Sequence, residues 1–462
     1  MSAVEDLARQ VLERVVADAP AAEVEVAVDH DRPALTRFAN SVIHQNVAED
    51  VVGVGIRVHV GGRTASASST VVGEDGLGGL VARVLAAAAL APVDHGWPGV
   101  APPAPLGTDL AAVDAATRDA SPDDRATIVG AFVDAAGGLE TAGYCRTNHW
   151  RGAFANSAGQ VVTGERAEVG LAGIARRDGA DGVARLASGR LADIDGALLG
   201  ARAAAKANAA ADPEEIPPDR YEVVLEPTAV ADILEAFSMY GFNAKAVAER
   251  RSFVRVGDGQ FDPSISLGDD APLAGVPYDA EGTPTRRAAL VDAGTTVGLT
   301  HDRRTGAAAG NAGLTTGNGV GSASFGAIAR HLVLAGSAPG DPAAEVDGPV
   351  VDASAAELVA RVERGVLVSD FWYTRVLDPR TLVLTGLTRN GVWLIEHGEV
   401  TRPLRNFRFT QAYAQALMPG NVLGVGRTAS ALPGDTYSSA MPWWTAPALR
   451  LAAWNFTGGA SG

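Results

Sequence analysis

The chain has 462 residues, 47% of them apolar, with 54 acidic against 38 basic side chains and a formal net charge of −16. This length allows two or three domains and a sizeable core, while the acidic balance argues against nucleic acid or anionic lipid as the main partner, since neither finds a basic face. A single cysteine excludes an intrachain disulfide framework and suits a reducing cytoplasm. Val4, Leu7, Val11, Leu12 and Val15 recur at helical spacing. Acids fall early among them and no continuous apolar core follows, so no signal peptide is expected. The longest apolar run, 84–91, is far short of the ~20 residues a membrane helix needs.

Residues 23–28 alternate as a half-buried strand, and 36–40 and 51–60 continue the pattern. Gly61-Gly62 signals a hairpin turn into 64–67. A helix is expected over 77–91, then a proline-rich crossing over 98–105. Ser121-Pro122-Asp123-Asp124 starts another helix, with a cap, a proline in the first turn and acids on the dipole. A strand pair spans 141–175, turned at Asn156-Ser157-Ala158-Gly159, and an alanine-rich helix covers 195–211. Residues 1–211 therefore read as an α/β domain.

Prolines and acids from Asp212 to Pro218 break both periodicities, so 212–220 is expected to be a linker and 221–462 a second domain. Strands dominate there, over 221–226, 288–292, 297–300, 332–334, 366–372, 382–387, 391–395 and 449–456. The expected helices are few, chiefly 228–250 and 354–364, the second with a capping box from Ser354 and Glu357 and a stop at Gly365. The expected class is α+β: an N-terminal α/β domain followed by a β-rich, largely antiparallel domain packed around the long 228–250 helix.

The eight histidines are His30, His44, His59, His95, His149, His301, His331 and His397. No two lie within one or two helical turns of each other, so a paired-His zinc helix cannot form anywhere. Cys145 and His149 are four apart, but Gly143 and the β-like residues around them argue for a strand, where a lone Cys is usually a small buried hydrophobe. A metal site built wholly from carboxylates has no loop signature such as an EF-hand here.

Six segments, TRFANSVIHQNV (36–47), FANSAGQ (154–160), YEVVLEPTAVADIL (221–234), EGTPTRR (281–287), ERGVLVSDFW (363–372) and RPLRNFRFT (402–410), resemble the TldD/TldE (PmbA) family of peptidases in order and spacing. The resemblance implies a heterodimer enclosing a chamber in which unfolded peptides or small peptide-like substrates are cut. In that family one subunit holds zinc through a helix carrying His-Glu, three residues, then His, together with a Cys near the C-terminus; the other subunit does not. Carried over, the two histidines fall on Glu235 and Tyr240, the catalytic glutamate on Ala236, and the thiolate on Leu423-Gly424-Val425-Gly426. Zinc favours imidazole and thiolate; a phenol of pKa ~10 is a poor substitute and Ala236 offers no base. The expectation is a zinc-free subunit with no cofactor and no catalytic residue of its own, paired in the cytoplasm with a zinc-bearing TldD-type chain. The alternatives are a self-sufficient hydrolase using Glu235, His301 and nearby acids, and a non-enzymatic homodimeric binding protein. Positions five apart on a regular α-helix are about 140° off one another, so a shared ligand needs a local wide turn. Without a metal, that turn persists only if packing demands it.

Other candidates concern substrate. His301-Asp302-Arg303-Arg304 precedes a Gly/Thr/Asn/Ser-rich stretch, Gly306 to Gly326. It is expected to be a loop lining a peptide cavity, with His301, Arg303 and Arg304 meeting substrate carboxylates; a solvated surface turn is the alternative. Phe371, Trp372 and Tyr373 end a strand and offer a stacking surface, although strand aromatics mostly fill cores and at least two of the three are expected to be buried. Adjacent Trp443 and Trp444 cannot both point inward from one strand, which places one on a subunit interface. Gly317-Asn318-Gly319-Val320-Gly321 lacks the strand and helix context of a nucleotide loop. No Gly-x-Ser-x-Gly nucleophile elbow occurs. Asn40 and His44 are expected to organise the first hairpin.

Overall fold

The structure is a computed structural model that describes residues 3–310, 313, 315–337, 350–434 and 443–459. The chain opens with α1 (Ala3–Asp18), β1 (Glu23–Ala39), β2 (Val42–Ala48), β3 (Val51–Val60), β4 (Arg63–Ser69) and α2 (Glu74–Leu90). It continues through α3 (Ala115–Arg118), α4 (Pro122–Ala135), β5 (Glu140–Asn156), β6 (Val161–Arg177), β7 (Ala180–Ser188) and α5 (Gly196–Ala209). These strands form a seven-stranded sheet in the order β4-β3-β1-β5-β6-β7, with β2 also on β1. Val4, Ala8, Val11 and Val15 of α1 are buried, and with α2 they cover the β1–β3 end. Phe132 of α4 and Ala203 of α5 cover the β5–β7 end.

Local chemistry explains the turns. Gly61 and Gly62 have φ of 59° and 74°, and Asn40 and Ser41 have φ of 51° and 59°, the left-handed pairs that match strand twist in tight hairpins. At α4, Ser121 Oγ accepts from the Asp124 N–H (3.2 Å) and the Asp124 carboxylate accepts from the Ser121 N–H (2.8 Å), closing a capping box ahead of Pro122. Asn156 Oδ1 accepts from the N–H groups of Ala158 and Gln160, both at 3.0 Å, and fixes the β5–β6 turn.

The second half contains β8 (Arg220–Leu225), α6 (Pro227–Ala236), α7 (Ala244–Ala248), β9 (Leu267–Asp269), β10 (Ala288–Asp292), β11 (Thr295–Thr296), α8 (Arg303–Ala308), β12 (His331–Leu334) and α9 (Ala353–Val359). It ends with β13 (Arg364–Asp378), β14 (Val383–Glu396), β15 (Glu399–Pro403), β16 (Phe407–Ala412), α10 (Tyr413–Ala416), β17 (Val422–Pro433) and β18 (Trp443–Gly459). An eleven-stranded sheet runs β11-β10-β9-β12-β18-β16-β14-β13-β8, and a further β8–β18 pairing closes β18, β16, β14, β13 and β8 on themselves. α6 packs on β18 and β13, burying Val230, Ile233 and Leu234 in one core with Val368, Leu449 and Trp454. The α+β class and the order of the two parts are those expected. Between α5 and β8 the chain is tied down: the Glu214 N–H donates to Pro403 O and the Arg405 N–H to Glu214 O, each at 2.9 Å.

Several local expectations are corrected. The 228–250 stretch is not one helix. α6 stops at Ala236, a wide turn covers Phe237–Gly241, and α7 restarts after Asn243, whose side chain accepts from the Lys245 and Ala246 N–H groups. The 354–364 helix is capped by Asp352 rather than Ser354 and ends near Val359; Glu357 points out to Arg427 (3.0 Å) and Gly365 lies within β13. Residues 297–300 form no strand beyond a bridge from Thr300 to Asn243. Only Phe371 of the aromatic triplet is buried. Tyr373 has φ of 54°, and the β13–β14 register slips between Trp372 and Arg375, so this bulge turns both Trp372 and Tyr373 outward. Trp443 and Trp444 are both buried, because β18 is covered on both faces: Trp443 meets Ala187 and Ala274, and Trp444 enters the main core.

Trp454 is fully buried and stacks on Phe371 with centroids 5.0 Å apart. Trp454→Ala is expected to destabilise the second half by about 3–5 kcal/mol, whereas Trp372→Ala, at an exposed ring, stays within about 0.5 kcal/mol of wild type. Urea unfolding followed by circular dichroism checks both.

Candidate functional site

A cavity of about 780 Å³ lies where the first sheet faces the wide turn after α6. One wall comes from β1, β5 and β6. Asp29 and Asp31 alternate along β1 and share a face; the register sets Asp31 opposite Trp150 and Trp150 opposite Arg166. Trp150 Nε1 donates to Asp29 Oδ1 (2.8 Å), and the Arg166 guanidinium lies 5.9 Å from the indole centre. Gly152 makes this possible: a Cβ there would strike the Trp150 ring at 2.1 Å. Burial pushes both Asp29 and Asp31 above the usual carboxylate range.

The opposite wall is the wide turn. The Phe242 N–H donates five residues back to Phe237 O (3.3 Å), the mark of a π-helical turn. Phe237 meets Phe242, Phe253 and Phe261 at centroid distances of 6.0, 5.6 and 5.9 Å. Ser238 Oγ donates to Ala329 O (2.9 Å), and Ser252 Oγ donates to Gly241 O (2.6 Å), satisfying a carbonyl at the end of the turn. The distortion therefore rests on aromatic packing and hydroxyl bonds. It brings Glu235, Ala236, Met239 and Tyr240 together on the cavity wall. Beside them Tyr413 donates to Asp232 (2.5 Å), which also accepts from Thr374 Oγ1 (2.8 Å).

Asp279 and Arg330 complete the lining. Asp279 accepts from the N–H groups of Gly319 (2.8 Å), Thr283 (2.9 Å) and Glu281 (2.9 Å). Burial nevertheless raises the pKa of Asp279 and of neighbouring Glu281, and the negative charge of Asp279 raises Glu281 further. Arg330 lies deep in the protein, where burial lowers its pKa, yet part of its side chain stays open to the cavity.

Zinc is the cofactor the resemblance implies for this fold, and the residues do not fit it. The ligand positions offer a carboxylate, a methyl group and a phenol, and among the described residues no group of three or more His, Cys, Asp or Glu is placed to hold a metal ion. Leu423-Gly424-Val425-Gly426, where the thiolate was placed, lies on β17, with Gly424 beside Leu358 and Gly426 beside Ser354 of α9, and lines none of this cavity. Cys145 is a buried strand residue whose thiol burial pushes up to about 12.

The predicted substrate residues are not gathered here. Arg304 forms a bidentate pair with Asp94 (2.8 and 2.7 Å) and Arg303 donates to Gly99 O (3.2 Å), so both tie α8 to the 94–99 segment of the first half. Asp302 caps α8 through the Thr305 N–H (2.7 Å), replacing the expected open loop start. His301 is half-buried, with its pKa lowered by burial, and does not line the cavity. Trp372 lies under Arg389 (4.6 Å) and faces a separate groove beside β1 and β2, whose lining includes His44. Phe371 is core. The residues that sequence reasoning missed are Asp29, Asp31, Trp150, Arg166 and Arg330; only the alternating acids of β1 carried a readable signal, two carboxylates on one strand face.

A family model described as the PmbA/TldA metallopeptidase C-terminal domain matches residues 218–458, and one for domain 1 of the same family matches 24–88. The chain belongs to the TldD/TldE (PmbA) family. No curated protein matches it. TldE from Thermococcus kodakarensis is 20% identical, with a TM-score of 0.80 over 99% of this chain and 100% of that one. A candidate modulator of a DNA gyrase from Thermotoga maritima is 17% identical, with a TM-score of 0.80 over 97% and 100%. A candidate modulator of DNA gyrase from Bacteroides thetaiotaomicron is 17% identical, with a TM-score of 0.76 over 98% of both chains. These likenesses give the TldD/TldE fold to the whole chain.

Asp279 and Glu281 hold their protons more tightly in the folded than in the unfolded chain. Their stabilising contribution is complete below the ordinary carboxylate range and is lost as pH rises through their folded values. Glu281→Gln is therefore expected to flatten the decline of the melting temperature between mildly acidic and neutral pH; a decline as steep as wild type's would remove Glu281 as its source.

Proposed function

We propose that this chain is the zinc-free subunit of a TldD/TldE-type metallopeptidase, closing a peptide-holding chamber around a zinc-bearing TldD-type partner. The observation that carries the reading is the wide turn Phe237–Gly241, kept by packing while its ligand positions hold Glu235, Ala236 and Tyr240. Hydrolysis belongs to the partner; this chain binds and orients an extended peptide. Strand addition is the mode we favour, since β2 is exposed along nearly its whole length and, among the described residues, pairs with β1 alone. We place the complex in the cytoplasm, consistent with a lone, buried Cys145; among the described residues no helix is long and apolar enough to cross a membrane.

Purified alone, the chain is expected to carry no stoichiometric zinc by elemental analysis and to cleave no unstructured peptide. Adding a TldD-type partner is expected to give a stable heterodimer with peptidase activity. Near-stoichiometric zinc together with cleavage by the isolated chain overturns the proposal. Zinc-free cleavage abolished by Glu235→Gln would instead identify a self-sufficient hydrolase, and a homodimer that refuses the partner would identify a binding protein.

A further inference from the structure

Arg330 is a deeply buried charge on the cavity wall that no carboxylate among the described residues pairs with. It sits one residue before β12, held by its backbone N–H on Asp269 Oδ1 (3.1 Å). Its Nε is buried without a hydrogen-bond partner, and its guanidinium makes no ion pair within 4.0 Å among the described residues. Asp279 and Asp269 act on it only through space, and Arg166 opposes it as a second positive charge. A guanidinium taken from water without a partner is costly. The other charged clusters near the two-sheet junction are paired: Arg304 with Asp94, Arg185 with Asp370 and Arg202 with Asp352.

The cavity around Arg330 is not generally anion-seeking. Besides Arg330, its lining holds Asp29, Asp31, Glu168, Asp232, Glu235 and Asp279 against Arg166 and Arg375, so acids outnumber arginines and phosphate or another polyanion would meet net repulsion. One carboxylate on a body carrying a compensating positive charge fits better. A guanidinium matches a carboxylate in a planar, two-pronged pair, and Asp29 and Asp31 on the facing sheet suit an ammonium group. About 780 Å³ is in the range that encloses a small organic ligand.

We propose that this cavity binds a short zwitterionic peptide, its C-terminal carboxylate on Arg330 and its amino terminus facing Asp29 and Asp31. This rests on the peptide-holding reading and adds a site for the peptide's termini separate from strand addition at β2, but it requires neither zinc nor a partner chain. Isothermal titration of the full chain with trialanine, trialaninamide, N-acetyl-trialanine and sodium acetate tests it, on wild type, Arg330→Leu and Arg330→Gln. Trialanine is expected to bind wild type. Amidation, acetylation and either substitution are each expected to weaken binding at least tenfold. The unliganded Arg330→Leu protein is expected to melt higher than wild type, because an uncompensated buried charge has gone. Equal binding of trialanine and its amide overturns the proposal on wild type alone, whatever the variants do. So does absence of trialanine binding, saturation by acetate at the same concentration, or a lower melting temperature for both variants, which would give Arg330 a purely structural role. None of these results bears on the zinc and partner measurements, so the two readings fail separately.

Discussion

The wide turn at Phe237–Gly241 is the constraint from which the cavity follows. In a regular helix Tyr240 would sit about 140° away from Glu235, and the two could not share a wall. The turn forgoes regular backbone bonding, and the protein offsets this with a cluster of four phenylalanines and two serine hydroxyl bonds to Ala329 O and Gly241 O. Those contacts involve no metal-ligand position. Geometry and chemistry are thus held by different residues, and the side chains at Glu235, Ala236 and Tyr240 are not what keeps the turn from relaxing.

The cavity also needs its two walls at a fixed separation. Charged pairs span the halves: Arg185 with Asp370 at 2.9 Å, Arg202 with Asp352 at 2.7 Å, and Lys206 with Glu226, whose carboxylate also accepts from Ser369 Oγ (2.6 Å). Buried pairs of this kind add little net stability, but removing one partner typically costs about 3–5 kcal/mol by stranding the other. They therefore penalise any shift of one sheet against the other. Arg303 and Arg304 belong to this system, which explains why arginines next to a glycine-rich stretch are absent from the cavity.

What the sequence reveals depends on whether a feature is written locally. The Ser121 cap and first-turn proline of α4, the Gly61-Gly62 and Asn156–Gly159 turns and the alternation of β1 and β3 are short-range chemistry, and they were legible. β17, reading VLGVGRTASALP, has weak strand propensity and is a strand because β18 offers it a partner. β14 merges two expected strands through Asn390 and Gly391, at φ of 58° and 130°. The break after α6 depends on Phe253 and Phe261, distant in sequence from Phe237. The poor fit of Glu235, Ala236 and Tyr240 to zinc could be read from residue types alone, whereas Asp29, Trp150, Arg166 and Arg330 meet only when two sheets pack.

The charges left in the cavity bear on whether the site is a relic. Burial acts against the charged forms of Asp29, Asp31, Asp279 and Arg330 alike. Well-packed apolar residues in such places are often neutral or more stable, and a domain's whole margin is only about 5–15 kcal/mol. Folding alone gives no reason to gather these groups around an enclosed space. Perturbed charges around an enclosed space are instead the pattern that functional sites tend to show. The wall formed by Asp29, Asp31 and Arg166 thus sets charge against the apolar face of the turn, the mixed polar and apolar lining that small-molecule sites share.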